Sequence, residues 1–351
     1  MATVPVAAVL HGHLDVFQNA GSEQAHLAGW VFREDVRLGH VDLAIAGKPW
    51  VSDVAVHARP DVERAFEPTL GRSEHIVWSG FAVTAALPPG HDVSSTEIIT
   101  VSPYAVSGTQ LDKWRTYYCA YAEEAATTPQ PPPELQERIG GSEDFMFVGA
   151  QLASLILTYI GKYKSPDDWA AVLDWGCGCA RVIAQLRKLI PPGTLHGCDI
   201  DAGAIAWNRE NLHGPTFTRI APYPPTPYPD GMFDVVYGIS VMTHLAEETQ
   251  FQWLKELRRI TRPGAILALS VIGENLRATN MPIELAGQFE QAGFAAQIPS
   301  YSNILAQYSH EKYYQEAYHS LDYIAAHWSR YFEVLECVET KYQDIILLRR
   351  E

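Results

Sequence analysis

The chain has 351 residues, of which 47% are hydrophobic, and its 41 acidic and 26 basic side chains give a formal net charge of −15. This length exceeds one average domain and suits two domains, each with a sizeable core. The acidic balance and the lack of a Lys/Arg run argue against a nucleic-acid partner, because phosphate backbones require a positive face.

The N-terminal sequence MATVPVAAVLHGHLDV lacks the basic region and long apolar core of a signal peptide. The most hydrophobic later stretch, FMFVGAQLASLILTYI, is interrupted by Gly149, Gln151 and Ser154, so we expect no insertion into a membrane. The five cysteines are an odd number scattered through a long chain, unlike a secreted disulfide framework. These features predict a soluble, cytoplasmic protein with reduced thiols.

Up to about residue 120, short strand-like runs alternate with turn residues, and there is little helical periodicity. The runs are HLDVF, LAGWVF, VDLAIAG, VSDVAVHA, WSGFAVTAAL and EIITVSPYAV. Their spacing predicts an all-β sandwich over residues 1–120. The next segment loses this periodicity and ends in prolines, so residues 121–133 are predicted to be a linker.

Over residues 134–351 the pattern changes to alternating helix and strand. Apolar side chains from Phe145 to Tyr159 form one helical stripe, and AAVLDWG, TLHGCDI, MFDVVYGIS and GAILALSVI are predicted strands. Asp201 is the predicted N-cap of a helix. The last two runs, YFEVLECVE and QDIILLRR, are separated by too few residues for a helical crossover, so they should pair antiparallel. The pattern predicts an α/β fold with a Rossmann-like, doubly wound, mainly parallel sheet and an antiparallel final hairpin.

The stretch VLDWGCGCARV contains the end of the first of these strands and the turn after it, where Gly176 and Gly178 let the backbone approach a ligand closely. A nicotinamide-binding loop would need a third glycine where Arg181 stands. Asp174 suits a ligand with an ammonium group, and Asp199, at the end of the second strand, suits the two hydroxyls of a ribose. An amine and a ribose together indicate an amino acid joined to a nucleoside.

The alternative for this stretch is a metal or redox site on Cys177 and Cys179. No second Cys pair or Cys/His pair at finger-like spacing completes four ligands. Paired carboxylates, which would suit Mg²⁺, do not follow the fourth strand, where GISVMTH stands. We therefore predict a cofactor loop and no metal.

These motifs resemble those of the class I S-adenosylmethionine-dependent methyltransferases, over about residues 133–351. VLDWGCGCARV is similar to their glycine-rich first motif, LHGCDID to their acidic second, PPTPYPDGMFDVVYGISVMTHL to their fourth-strand region and ELRRITRPGAILALS to their fifth. Ala180 stands where close relatives often carry glycine. The resemblance implies S-adenosylmethionine as cofactor, with contacts from Asp174, Gly176, Cys177, Gly178, Asp199, Ile200 and Ser240.

His244 lies just after the fourth strand, where the methyl acceptor arrives in this fold, and its imidazole suits a general base. A structural histidine is the alternative. The aromatic segment 308–332 either walls a substrate pocket or is a helix that faces the core. Under the first interpretation, the predicted substrate contacts are His310, Tyr314 and His319.

The N-terminal half resembles a small β-rich module found beside bacterial methyltransferases and glycosyltransferases, on the segments GWVF, VDLAIAG, ARPDVERAF and SGFAV. Together the features predict a bacterial enzyme that methylates a hydroxyl of a sugar, glycan or polar small molecule. The alternatives are an N- or C-methyltransferase of small-molecule biosynthesis, a non-catalytic saccharide-binding protein with a vestigial methyltransferase fold, and a nicotinamide oxidoreductase. Self-association into a homo-oligomer stays open.

Overall fold

The computed structural model describes residues 4–21, 24–91, 98–117, 128–139, 145–191, 193–298, 314–340 and 343–351. The chain divides into an N-terminal unit of Ala8–Thr127 with Ala153–Lys162, and a C-terminal unit of Met1–Ala7, Thr128–Leu152 and Tyr163–Glu351. This division departs from the predicted boundaries, because the first few residues count with the C-terminal unit and part of one later helix counts with the N-terminal unit.

The strands of the first third of the chain are β1 (Val6–Ala7), β2 (His11–Gly21), β3 (Gln24–Phe32), β4 (Leu38–Ile45), β5 (Lys48–Ala55), β6 (His57–Ala58), β7 (Trp78–Ala86), β8 (Ile98–Ala105) and β9 (Trp114–Tyr117). Strands β2 to β9 form two antiparallel sheets, of order β2-β3-β7-β6 and β5-β4-β8-β9. Alternate side chains of both sheets share one core, in which Leu27, Val41, Phe81 and Val101 are fully buried. The predicted β-sandwich is confirmed.

Two helices in this unit are missing from the strand-based prediction, α1 (Pro60–Leu70) and α2 (Glu74–Val77). Helix α1 begins with a proline, which lacks a backbone N–H that would be unpaired there, and has Asp61 and Glu63 in its first turn. Its buried residue Val62 packs in a small cluster with Phe32 and Ile76. Each of these helices has only one short apolar stripe, and this helical periodicity was too weak to be recognised among the strand patterns.

The remaining strands are β10 (Val172–Trp175), β11 (Leu195–Asp199), β12 (Thr216–Arg219), β13 (Phe233–Gly238), β14 (Thr261–Ile272), β15 (Phe294–Gln297), β16 (Glu316–His319), β17 (Glu333–Val338) and β18 (Gln343–Arg349). The remaining helices are α3 (Pro133–Glu137), α4 (Phe145–Tyr163), α5 (Ile183–Leu186), α6 (Ala202–Asn211), α7 (Glu247–Ile260), α8 (Glu274–Asn280), α9 (Ile283–Ala292) and α10 (Leu321–His327).

Ten described strands form one mixed sheet in the C-terminal unit, of order β1-β17-β18-β14-β13-β10-β11-β12, with β15 and β16 attached at β14. Strands β10 to β14 pair in parallel, and β18 runs antiparallel to both β14 and β17. This confirms the predicted doubly wound sheet with its antiparallel final hairpin. Strand β1 explains why the first residues join this unit, since it forms an edge of the sheet, where Val6 pairs with Cys337 on β17.

Two predicted elements differ in extent. The sequence after the glycine loop predicts a helix from about Arg181 to Ile190, but regular α geometry holds only in α5, with turns on either side. Of the predicted linker, residues 121–127 lie outside the described residues, and Pro133 already begins α3.

Among the described residues, one helix, α4, is long and apolar enough to cross a membrane, judged by length and composition alone. In its most apolar window, 61% is buried inside the protein, as in the core helix of a globular domain. The finding is weak evidence for a membrane span.

Candidate active site at the carboxyl ends of the parallel strands

A cavity of about 550 Å³ opens where β10, β11 and β13 end. This volume lies within the range of roughly 300–1,000 Å³ that small-molecule sites occupy. The cavity brings together all the predicted cofactor contacts and two of the predicted acceptor-side residues: Asp174, Gly176, Cys177, Gly178, Asp199, Ile200, Ser240, His244 and Tyr314.

The glycine loop after β10 is tied to β11 by two backbone hydrogen bonds, because Gly176 N and Cys177 N both donate to the Cys198 carbonyl, at 2.8 and 3.0 Å. Gly176 and Gly178 have φ of +76° and +50°, in the left-handed region. A Cβ on Gly178 would lie 2.6 Å from Ile139 Cγ2. Ala180 also takes a left-handed φ of +58°, which explains why glycine suits this position.

Asp174 is a buried carboxyl at the end of β10, only 4% exposed. Burial raises its pKa to about 8, and the neighbouring Asp199 adds to this, while the nearby Tyr237 hydroxyl acts in the opposite direction. Among the described residues, the ionised form of Asp174 lacks an ion-pair partner that would compensate its charge. The ammonium group of a ligand would provide that partner.

Asp199 is held in place by the backbone, since Oδ2 accepts from Gly178 N at 2.7 Å and Oδ1 from Asp201 N at 2.8 Å. Burial raises its pKa, and these two hydrogen bonds lower it. A carboxylate offers about four acceptor positions, so Asp199 keeps acceptor capacity for ribose hydroxyls. Asp201 is the N-cap of α6, as predicted, and accepts from Gly203 N and Ala204 N.

His244 ends a 3-10 turn, Met242–His244, that follows β13. Its Nδ1 lies 3.3 Å from the Gln315 carbonyl oxygen, which can only accept, so Nδ1 carries the hydrogen and Nε2 is the proton-accepting nitrogen. The ring of Tyr314 stacks on the imidazole at 4.5 Å. Burial lowers the pKa of His244, which keeps the ring neutral near pH 7.

Ser240 has a left-handed φ of +59° and a network of polar contacts. Its Oγ donates to Gln343 Oε1 at 3.0 Å, and Ser270 Oγ donates to the same oxygen at 2.7 Å. Gln343 lines the cavity from the first residue of β18. Sequence reasoning missed it, because only the pairing of Gln343 with Ile272 on β14 brings it to the site.

The other two predicted substrate contacts are not brought to the cavity. His310 lies outside the described residues. His319 is buried in β16 and is absent from the cavity lining; its Nε2 lies 2.9 Å from Gln250 Oε1, and burial lowers its pKa to about 3. The Gln250 amide nitrogen already donates to two carbonyls, so its oxygen accepts from a neutral His319 that joins β16 to α7.

In the part of the chain that the structure describes, no group of three or more His, Cys, Asp or Glu could hold a metal ion. Cys177 and Cys179 are buried free thiols whose pKa values burial raises, the latter to about 12. Small packed side chains in the cofactor loop account for both.

The family model described as "Methyltransferase domain" matches residues 172–264, the segment that forms this cavity loop and strands β10 to β13. An uncharacterized methyltransferase of Schizosaccharomyces pombe is 30% identical over 118 residues, which cover 30% of this chain and 41% of that protein. Residues 172–264 therefore match a methyltransferase domain, in agreement with the resemblance that the sequence motifs carry. The chain spans less than half the length of this curated relative.

Two solved structures are similar to this chain. The PH0226 protein of Pyrococcus horikoshii OT3 has a TM-score of 0.42 and 16% identity, covering 63% of this chain and 96% of that one. Magnesium protoporphyrin IX methyltransferase of Synechocystis PCC 6803, with bound S-adenosylhomocysteine, has a TM-score of 0.41 and 15% identity, covering 66% and 97%.

The cavity has the features that the predicted cofactor, S-adenosylmethionine, requires. The glycine loop lets the backbone approach the cofactor closely, and the buried Asp174 carboxyl can pair with its ammonium group. The Asp199 carboxylate, which the backbone anchors, can accept hydrogen bonds from its ribose.

Proposed function

We propose that the protein is a methyltransferase that transfers a methyl group from S-adenosylmethionine to a hydroxyl of a sugar, a glycan or another polar small molecule in the cytoplasm. The observation that carries this proposal is the geometry of His244, a half-buried imidazole in the cavity whose Nδ1–H is engaged by the Gln315 carbonyl and whose Nε2 is able to accept a proton. A hydroxyl acceptor must lose its proton during transfer, so it needs such a base.

When bound, S-adenosylmethionine supplies a methyl group that its sulfonium already makes electrophilic. The residues of this chain therefore have to bind the cofactor and the acceptor, orient them, and exclude water. Asp174 and Asp199 hold the ammonium and ribose groups, Tyr314 walls the acceptor side against His244, and His244 Nε2 takes the hydroxyl proton. The Gln315 carbonyl keeps accepting from Nδ1–H, which stabilises the imidazolium that forms.

The direct test measures methyl transfer from radiolabelled S-adenosylmethionine to a panel of methyl pyranosides with free hydroxyls, and to amine analogues of the same sugars. His244→Gln should lower kcat by about 10²- to 10⁴-fold, the contribution of a positioned base, while the affinity for S-adenosylhomocysteine stays unchanged. His213→Gln, at an exposed histidine, is the matched control and should leave kcat unchanged.

Transfer to the amine analogues alone, with His244→Gln as active as the wild type, would establish the N-methyltransferase alternative instead. No transfer to any probe, together with no binding of S-adenosylhomocysteine, would favour the non-catalytic saccharide-binding alternative. In that case the same pyranosides should bind to the protein without cofactor.

A further inference from the structure

The cavity contains a positive charge as well as its carboxylates. Arg181 follows the glycine loop directly, lines the cavity and is half-buried. Among the described residues it has no carboxylate within ion-pair distance and no hydrogen-bonded partner. Burial lowers the pKa of its guanidinium, and the negative groups nearby oppose this only in part. A desolvated guanidinium without a partner is costly, which indicates that an anionic ligand group completes it.

Arg181 and Asp174 line the same cavity, and each interacts electrostatically with the other. They do not form an ion pair in the described structure, so each stays largely uncompensated. A zwitterion inserted between them would neutralise both at once: its ammonium would face Asp174 and its carboxylate Arg181. The methionine part of the cofactor is such a zwitterion.

Arg138 is the other arginine that lines this cavity, but its Nη1 donates to Asp201 Oδ2 at 2.6 Å. Because Asp201 is buried and caps α6, this guanidinium is already engaged in holding the helix. Arg181 instead packs closely against Gly149 on α4, where a Cβ would come within 2.6 Å of the Arg181 carbonyl oxygen and 3.0 Å of its Cγ.

We propose that Arg181 binds the carboxylate of the methionine part of S-adenosylmethionine, so that Arg181 and Asp174 together select a zwitterionic amino-acid group. This deepens the proposed function and rests on its cofactor, but it does not depend on the acceptor. A nucleoside thioether or sulfonium without the carboxylate should bind less tightly for this reason alone.

The test is calorimetric titration with S-adenosylmethionine and with its decarboxylated form, which keeps the nucleoside, the sulfonium and the ammonium group. The wild type should bind the intact compound about 10- to 100-fold more tightly, the usual size of a charge-assisted contact. In Arg181→Met this ratio should fall to about 1, mainly because S-adenosylmethionine binds less tightly. Arg181→Lys, which keeps the charge, should restore part of the ratio.

Arg138→Met is the matched control, because it removes an arginine of the same cavity that is already paired. It should change the affinity for both compounds by the same factor. The proposal is overturned if Arg181→Met and Arg181→Lys leave the ratio at its wild-type value, or if Arg138→Met abolishes it. Failure of the wild type to bind either compound would refute the cofactor of the proposed function, and this proposal with it.

Discussion

His244 is the residue whose protonation state decides whether the cavity can accept a proton from a hydroxyl. Burial lowers its pKa from 6.5, and interactions with the Gln315 carbonyl and Glu316 only partly oppose this. The imidazole is therefore a free base over the whole neutral range. Its position in a one-turn 3-10 segment directly after β13 fixes it at the edge where parallel-sheet ligands bind.

The first prediction concerns the pH dependence of kcat at saturating S-adenosylmethionine. Because the protonated imidazole cannot act as a base, kcat should rise as the pH increases through the lowered pKa of His244, below 6.5, and stay flat above it. The measurement is a pH–rate profile of kcat with buffered mixtures of constant ionic strength. A profile whose only acidic limb lies above pH 6.5, or one unchanged by His244→Gln, would contradict the assignment.

The second prediction concerns Asp174, whose charge is costly in the free protein. Its folded pKa of about 8 exceeds the unfolded value of about 3.9, so the folded state binds more protons between these pH values. The free energy of unfolding should thus fall as the pH rises from about 4 to about 8. Asp174→Asn should remove this decline and stabilise the protein at the alkaline end, while it weakens S-adenosylhomocysteine binding by about 10-fold or more.

Urea unfolding at several pH values and calorimetric titration test this trade-off between stability and binding. Asp234→Asn is the control, because this buried carboxylate is already satisfied by the backbone N–H groups of Ala170 and Ala171. It should lower the free energy of unfolding by about 1–3 kcal/mol and leave the binding unchanged. Loss of stability in Asp174→Asn at about pH 8 would show that the charge is compensated by the protein.

At the level of elements, strand periodicity and turn residues were enough to predict the sandwich, the parallel strands and the final hairpin. Each strand with one buried face repeats its apolar residues with a period of two, and the strands β10 and β13, which are buried along their whole length, are short runs that are apolar except for one aspartate each. The attached pair β15 and β16 was not predicted, because Phe294–Gln297 and Glu316–His319 are only four residues each.

The site was predictable where it depends on neighbours in the sequence and not where it depends on pairing between distant elements. Asp174 lies near the end of one strand and Gly176 and Gly178 follow it, and the carboxyl ends of parallel strands meet at the same edge of the sheet. Gln343 and Arg138 reach the cavity from β18 and from the end of α3, at sequence distances that no local pattern reports. Tyr314 was predicted as a substrate contact from the chemistry of its side chain. His319 was predicted in the same way, and only the burial of β16 in the structure shows that it does not reach the cavity.

The third prediction separates the two roles of Asp201, which caps α6 and pairs with Arg138. Asp201→Asn keeps a good N-cap and loses the charge, whereas Asp201→Ala loses both. We expect Asp201→Ala to cost about 1–2 kcal/mol of unfolding free energy and Asp201→Asn to cost less. Urea unfolding of the two variants, each alone and combined with Arg138→Met, measures the pair. Additive losses in the Asp201→Asn double variant would show that the ion pair contributes nothing.

At the level of the whole molecule, the two units have separate hydrophobic cores. One is built around Leu27, Val41 and Phe81 of the sandwich, and the other around Trp253, Leu254 and Leu267 beside the large sheet. The cavity belongs to the second unit only, because every residue that lines it lies there. A ligand that binds one folded unit stabilises that unit by mass action and leaves an independent transition in place.

The last prediction therefore uses Thr158, which counts with the N-terminal unit although it lies in α4. Thr158 Oγ1 accepts from Arg115 N at 2.9 Å, and this hydrogen bond anchors the end of β9. Thr158→Val keeps the shape but leaves that backbone N–H without this acceptor, which should cost about 1–3 kcal/mol. In urea unfolding we expect the variant to shift only the transition of the N-terminal unit, and S-adenosylhomocysteine to shift only the other.

Thr84→Val, at an exposed threonine of β7, is the control and should stay within about 0.5 kcal/mol of the wild type. The two shifts together assign each transition to its unit without cutting the chain, which matters because a fragment ending at residue 120 would lack Thr158 and the Tyr159 hydroxyl that accepts from Leu10 N. If both treatments moved one and the same transition, the chain would unfold as a single cooperative body. A saccharide function of the sandwich would then have to be tested on the whole protein.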